Sequence, residues 1–139
     1  MRAYYDGYLN DVVENQGKLF DYVSYKYSGY DTKDFITFYM KSITRDAIDK
    51  SQAYVNTMDY DELLSFFLKN DNYVFKKGKT IEGFIPYWIG EFYAYYQWYF
   101  NIPSSKVVDK ITVDFLIIAY PSLHDLDLEE AVKKVGEIK

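Results

Sequence analysis

The chain has 139 residues, no cysteine, one histidine, and 16 basic against 21 acidic side chains, for a formal charge of −5. That length suits one domain with a core of its own. The lack of cysteine excludes a disulfide framework, a thiolate metal site and a cysteine nucleophile, and it fits a reducing cytoplasm. The acid excess argues against a protein that binds duplex nucleic acid by neutralising its phosphates.

Aromatic residues make up 21% of the chain, with 17 Tyr and 10 Phe. Tyrosine joins an apolar ring to a polar tip and serves both cores and interfaces. Some tyrosines are therefore expected on a surface that meets a protein partner. The start, Met1-Arg2-Ala3-Tyr4-Tyr5-Asp6, has no apolar run after its arginine, so no secretory signal is expected there. The most apolar stretch, 81–102, is interrupted by Glu82, Pro86, Glu91 and Gln97. An ionised carboxylate in its middle makes a buried core helix the reading, and a membrane span is set aside. No repeat, low-complexity run or linker divides the chain, so 1–139 reads as a single helical domain.

In chain order, the first helix is predicted over about 8–27, where Leu9, Val12, Val13, Leu19, Phe20 and Val23 recur at helical spacing and Gly17 weakens the middle. Ser28-Gly29 ends it, and Asp31 caps a second helix with Asp34 in the capping-box position. That helix turns Phe35, Ile36, Phe38, Tyr39 and Ile43 inward and continues, with a kink, through Arg45 to Ile48. Residues 53–57 read as a short strand or an extended link. Asp59 caps a helix that stops near Asn70. Tyr73-Val74-Phe75 and Lys76-Lys77-Gly78-Lys79 read as a strand and a basic turn, which allows one tiny two-stranded pairing of 53–57 with 73–76.

The central helix is predicted over about 84–100, with Pro86 in its first turn, where a missing N–H matters least. Its apolar residues occupy nearly every face, and a helix of that kind is buried by several neighbours. Asn101-Ile102-Pro103 breaks it and Ser104 caps a short helix through Ile111. Another short helix is predicted over 113–120. The last begins near Asp127, with Leu128, Ala131, Val132 and Val135 inward and Glu129–Lys133 and Glu130–Lys134 as solvated pairs. The expected fold is mainly α: six or seven helices around an aromatic-rich central one.

Few residues suggest chemistry. His124, flanked by Asp125, is either a base or ligand with a carboxylate partner, or an ordered turn residue bonded to backbone. One histidine without a second ligand at metal spacing favours the turn. Glu91, inside the aromatic helix, must find a partner or become protonated, and Arg45 is the expected structural partner. The 91–120 segment has the rhythm of a helix–turn–helix, but its second helix offers only Ser105, Lys106, Asp109 and Lys110. Lys76, Lys77 and Lys79 read as a solvated turn. No phosphate-binding, dinucleotide, nucleophile-elbow or zinc-protease motif occurs, and no cofactor is expected.

The run Gly83-Phe84-Ile85-Pro86-Tyr87-Trp88-Ile89-Gly90-Glu91-Phe92-Tyr93-Ala94-Tyr95, then Ile102-Pro103-Ser104-Ser105-Lys106, then Ala119-Tyr120-Pro121-Ser122-Leu123-His124-Asp125-Leu126-Asp127, resembles an uncharacterised family of small bacterial proteins. The upstream segment from Ile48 to Val55 resembles its longer members. In that family members look like antitoxins or accessory partners in toxin–antitoxin loci, some beside ADP-ribosyltransferase-like toxins. The resemblance implies no transferable active site. It implies a non-catalytic, cytoplasmic, protein-binding module, with a cognate toxin as partner. Two alternatives stay open: a nucleic-acid-binding regulator using 91–120, and a small ligand-binding protein or enzyme using Glu91 and His124. The residues singled out for structure or partner binding are Arg45, Glu91, Tyr95, His124 and Asp125.

Overall fold

The computed structural model describes residues 6–139, and within them the chain forms nine α-helices and no strand. They are α1 (Asp6–Lys26), α2 (Thr32–Met40), α3 (Ile43–Asp49), α4 (Ala53–Asn56), α5 (Tyr60–Asn70), α6 (Ile85–Phe100), α7 (Ser104–Lys110), α8 (Val113–Leu123) and α9 (Leu128–Ile138). The mainly helical fold class is as expected. The larger helix count has two local causes.

Ser42 divides the predicted second helix in two. Its hydroxyl donates to Tyr39 O at 2.6 Å while its oxygen accepts from Arg45 N at 3.0 Å. One side chain thus closes α2 and caps α3, as a serine at a helix boundary can. The second cause lies at 53–56, which form a single helical turn rather than a strand. Ser51 enters it at φ 56°, a left-handed conformation, and Val55 is buried beneath it. Residues 73–79 therefore do not pair with 53–57. They run against the start of α2, with Lys77 bridged to Tyr30 and Asp31 N donating to Lys76 O at 2.7 Å.

The predicted caps at Asp31 and Asp59 form, since each side chain accepts from the backbone N–H three residues on. At α5 the box is reciprocal through Glu62, whereas the Asp34 carboxylate turns away to accept from Tyr73 Oη at 2.7 Å. Ser104 does not cap α7. It sits inside the helix, and its N–H and hydroxyl both donate to Asp49, each at 2.7 Å.

The centre is α6, which touches α1, α7, α8 and α9. Trp88, Ile89, Phe92, Tyr93 and Tyr96 on it are buried in the main core, with Phe35, Leu63, Val107, Leu116 and Val132 from five other helices. Its burial is not complete all round. Tyr87, Glu91, Tyr95 and Tyr99 recur every fourth residue and form a half-buried stripe. A second aromatic group joins α1, α2, α5 and the 73–75 segment: Phe35 lies 5.7 to 6.0 Å from the rings of Phe20, Phe67, Tyr73 and Phe75. Such pairs add about 0.5–1.5 kcal/mol each beyond burial.

The α1–α6 crossing depends on Gly90. A Cβ on Gly90 would run into the Gln16 carbonyl and stand 2.9 Å from Gly17 Cα, so backbone meets backbone. Gly17, which reads as a weak point of the first helix, lies opposite, where a Cβ would meet the Glu91 and Tyr87 side chains rather than backbone.

Candidate functional site

Turned away from that crossing, α1 faces α4 across an open groove of about 620 Å3. The size falls within the range of small-ligand and side-chain pockets. Val12, Ile48, Val55 and Met58 give it an apolar floor, and Tyr8, which is 60% exposed, stands on its wall. Tyr54, 52% exposed, lies on α4 between the lining residues Ala53 and Val55. The charged lining residues are Asp11 and Asp59, and among the described residues no lysine, arginine or histidine lines the groove.

The polar lining is biased toward acceptors. Asn15 Nδ2 donates to Met58 O at 3.1 Å, Asn56 Nδ2 to Ser51 Oγ at 3.1 Å, and Thr57 Oγ1 to Ala53 O at 3.1 Å. These donors tie the groove together. They leave the Asn15 amide oxygen and the Asp11 carboxylate as groups an occupant can engage. Gln16 is also engaged, its amide oxygen accepting from Tyr39 Oη at 2.8 Å. Burial pushes the Tyr39 phenol above its ordinary range, and the nearby Arg45 guanidinium offsets part of that. Ser51, strained at φ 56°, belongs to the same lining.

The residues singled out from sequence scatter over the molecule. Arg45 is fully buried and pairs with Asp49, Nη1 to Oδ1 at 3.1 Å, not with Glu91 as expected. Both lie on α3, one turn apart, so the pairing needs no distant helix. Asp49 in turn holds Ser104, and Arg45–Asp49–Ser104 ties α3 to α7 inside the core. None of the three Arg45 side-chain nitrogens makes a hydrogen bond of good geometry, so the guanidinium depends on the Asp49 charge.

Glu91 lies on the half-buried stripe of α6, with its Cγ beside Gly17. Desolvation first, and the charge of Glu14 second, raise its carboxyl above the ordinary value. Tyr95, on the same stripe, lies 6.0 Å from Trp98 and 6.3 Å from Tyr99, ring to ring.

His124 follows α8 and stacks on Tyr120 at 4.4 Å, with Nδ1 2.8 Å from Tyr120 O and Nε2 3.3 Å from Asp125. No hydrogen bond or ion pair joins His124 to Glu91. Among the described residues, no cluster of three or more His, Asp and Glu side chains is placed to hold a metal. None of their helices is long and apolar enough to cross a membrane.

A larger cleft of about 910 Å3 lies between the 28–33 and 79–82 segments and α8, but its charges are of both signs and Lys33 is paired with Asp114 at 2.6 Å. It presents no single chemistry, and the α1–α4 groove does. Sequence reasoning passed over the groove because its residues are ordinary helix-surface and turn types. The available signal was the 50–58 stretch, which lacks helical periodicity and lies between two strongly periodic helices. No family model, curated protein or solved structure matches the chain.

Proposed function

We propose that the chain is a non-catalytic protein-binding module, an antitoxin or immunity-type inhibitor that acts in the cytoplasm by covering a partner toxin stoichiometrically. The observation that carries this reading is the α1–α4 groove, which combines an apolar floor, a tyrosine wall and a polar lining of carboxylates and amide oxygens. Anchor pockets of protein interfaces are built from such parts, with buried apolar contact inside a polar rim. The charge of −5 suits docking on a basic partner and speeds the encounter. Tyr8, Tyr25 and Tyr54 expose 60, 86 and 52% of their surface, which supports a contact role for the tyrosine excess. The resemblance to antitoxin-like proteins adds the kind of partner, a toxin that is ADP-ribosyltransferase-like in some loci.

The nucleic-acid alternative draws less support. On α7, Asp109 is paired with Lys41 at 2.7 Å and Ser104 is held by Asp49, which leaves Lys106 and Lys110 as its cations.

The test is to express the tagged full chain from its native locus, with both flanking genes, and to isolate it. The expected result is a stoichiometric complex with a neighbouring gene product whose expression alone halts growth. A monomer beside harmless neighbours overturns the reading.

A further inference from the structure

We propose that the α1–α4 groove is an arginine-reading pocket, which takes a side chain from an exposed segment of the protein partner. The inference rests on the protein-binding reading and adds the chemistry of what is bound. Asp11 and Asn15 lie one turn apart on α1 and both line the groove. Side chains at that spacing stand next to each other about 5–6 Å apart. Together they offer a carboxylate and, with Asn15 Nδ2 committed to Met58 O, an amide oxygen.

A pair of acceptors facing an occupant selects for donors, and a guanidinium brings five in a planar fork. The groove supplies no cation of its own among the described residues, so the Asp11 charge is left for the occupant. Val12, Val55 and Met58 line the floor, which matches the apolar stem behind an arginine head.

The open form of the site favours a protein segment over a free amine. The 620 Å3 groove lies at the surface between α1 and α4, with Tyr8 on its wall. An open groove of this kind admits the residues on either side of an arginine as well as its side chain.

The test is a titration of the isotope-labelled full chain, followed by NMR, with a capped pentapeptide in which one arginine stands between two leucines. The expected result is shift changes confined to 8–16 and 51–59, with a Kd of about 1 mM, a weak affinity suited to one anchor. Replacing the arginine by citrulline, which keeps the shape and removes the charge, weakens binding about tenfold or more. Asp11→Asn does the same without moving the melting temperature, since Asp11 is exposed.

Shifts that are absent, that spread over other faces, or that are equal with citrulline overturn the proposal. Spermidine binding in the groove as tightly as the peptide also overturns it, by making the groove a small-amine site. The two readings fail separately. A recovered partner whose complex survives Asp11→Lys discards the arginine pocket alone. A chain that recovers no partner, yet binds the arginine peptide in the groove, discards the antitoxin reading alone.

Discussion

Two sides of helix α1 are built in opposite ways. Against α6 it closes until Gly90 rests on the Gln16 carbonyl, with no room for a single methyl group. Against α4, beginning at the same Gln16, it leaves a groove of about 620 Å3. The difference comes from the partner helices. The 16 residues of α6 carry a glycine at the crossing and a buried face long enough to seat α1 along its length. The four residues of α4 bury Val55 and hold their place by turn hydrogen bonds. A one-turn helix cannot follow α1, so space remains where the two diverge. The tight side fixes the fold, and the open side is left for binding.

Substitution at Gly90 is the strongest way to break this arrangement. Gly90→Ala sets a Cβ against backbone atoms, which cannot rotate aside, so the helices must part. The expected loss is about 3 kcal/mol or more, read by urea denaturation. Gly17→Ala is the sharper control. Its Cβ would meet Glu91 Cγ and a Tyr87 ring carbon, each at 2.9 Å, and both belong to half-buried side chains that can yield. The helical preference of alanine over glycine, about 1 kcal/mol, offsets much of that contact, and the net change is expected near zero. Equal losses for the two would contradict the backbone-contact account.

Between α3 and α7 the supports are polar. Asp49→Ala leaves the Arg45 guanidinium buried without its one counter-charge and frees Ser104. The expected cost is about 3 kcal/mol. Arg45→Met, which removes the charge and keeps the bulk, is expected to cost less than Asp49→Ala. The reverse order, measured by the same denaturation, would show that Arg45 has other support. Tyr39→Phe is smaller again. It deprives the Gln16 amide oxygen of its donor inside the core, for about 1–2 kcal/mol. A peptide titration of that variant reads whether the floor of the groove depends on the Tyr39–Gln16 bond.

Much of the fold was legible because periodicity and caps are local. Asp31 and Asp59 announce helix starts through their own backbone neighbours, and the apolar spacing of α5, α6 and α9 survives into the packed structure. What was not legible depends on distance in space. Arg45 and Glu91 were expected to meet because both needed a partner, but an i,i+4 carboxylate at Asp49 was available at lower entropic cost. Glu91 itself was placed too deep. The repeat of Tyr87, Glu91, Tyr95 and Tyr99 every fourth residue marks one stripe of α6, and a charge on that stripe is the sign that it looks outward. Glycines 17 and 90, one in each of two apolar helices, were likewise a readable mark of close approach. The groove was marked only by the unperiodic 50–58 stretch, since it is defined by where a four-residue helix fails to fill space.

The smallest effect tests that stripe. Glu91 carries a carboxyl raised above its ordinary 4.5 by desolvation, with Glu14 adding to the rise. A raised folded value means that, from 4.5 up to that value, the folded chain holds a proton the unfolded chain has released. Stability from this group is therefore complete below pH 4.5 and declines as pH rises through the raised value. Glu91→Gln removes the decline. At pH 7 the variant is expected to be slightly more stable than the parent, by less than about 0.5 kcal/mol for a half-exposed site. At pH 4 the difference should vanish. Thermal melts at the two pH values decide the matter: a variant less stable at pH 7 would mean that the Glu91 carboxylate has a favourable partner, and that this edge of the α1–α6 crossing is held by charge rather than by the fit of Gly17 beneath it.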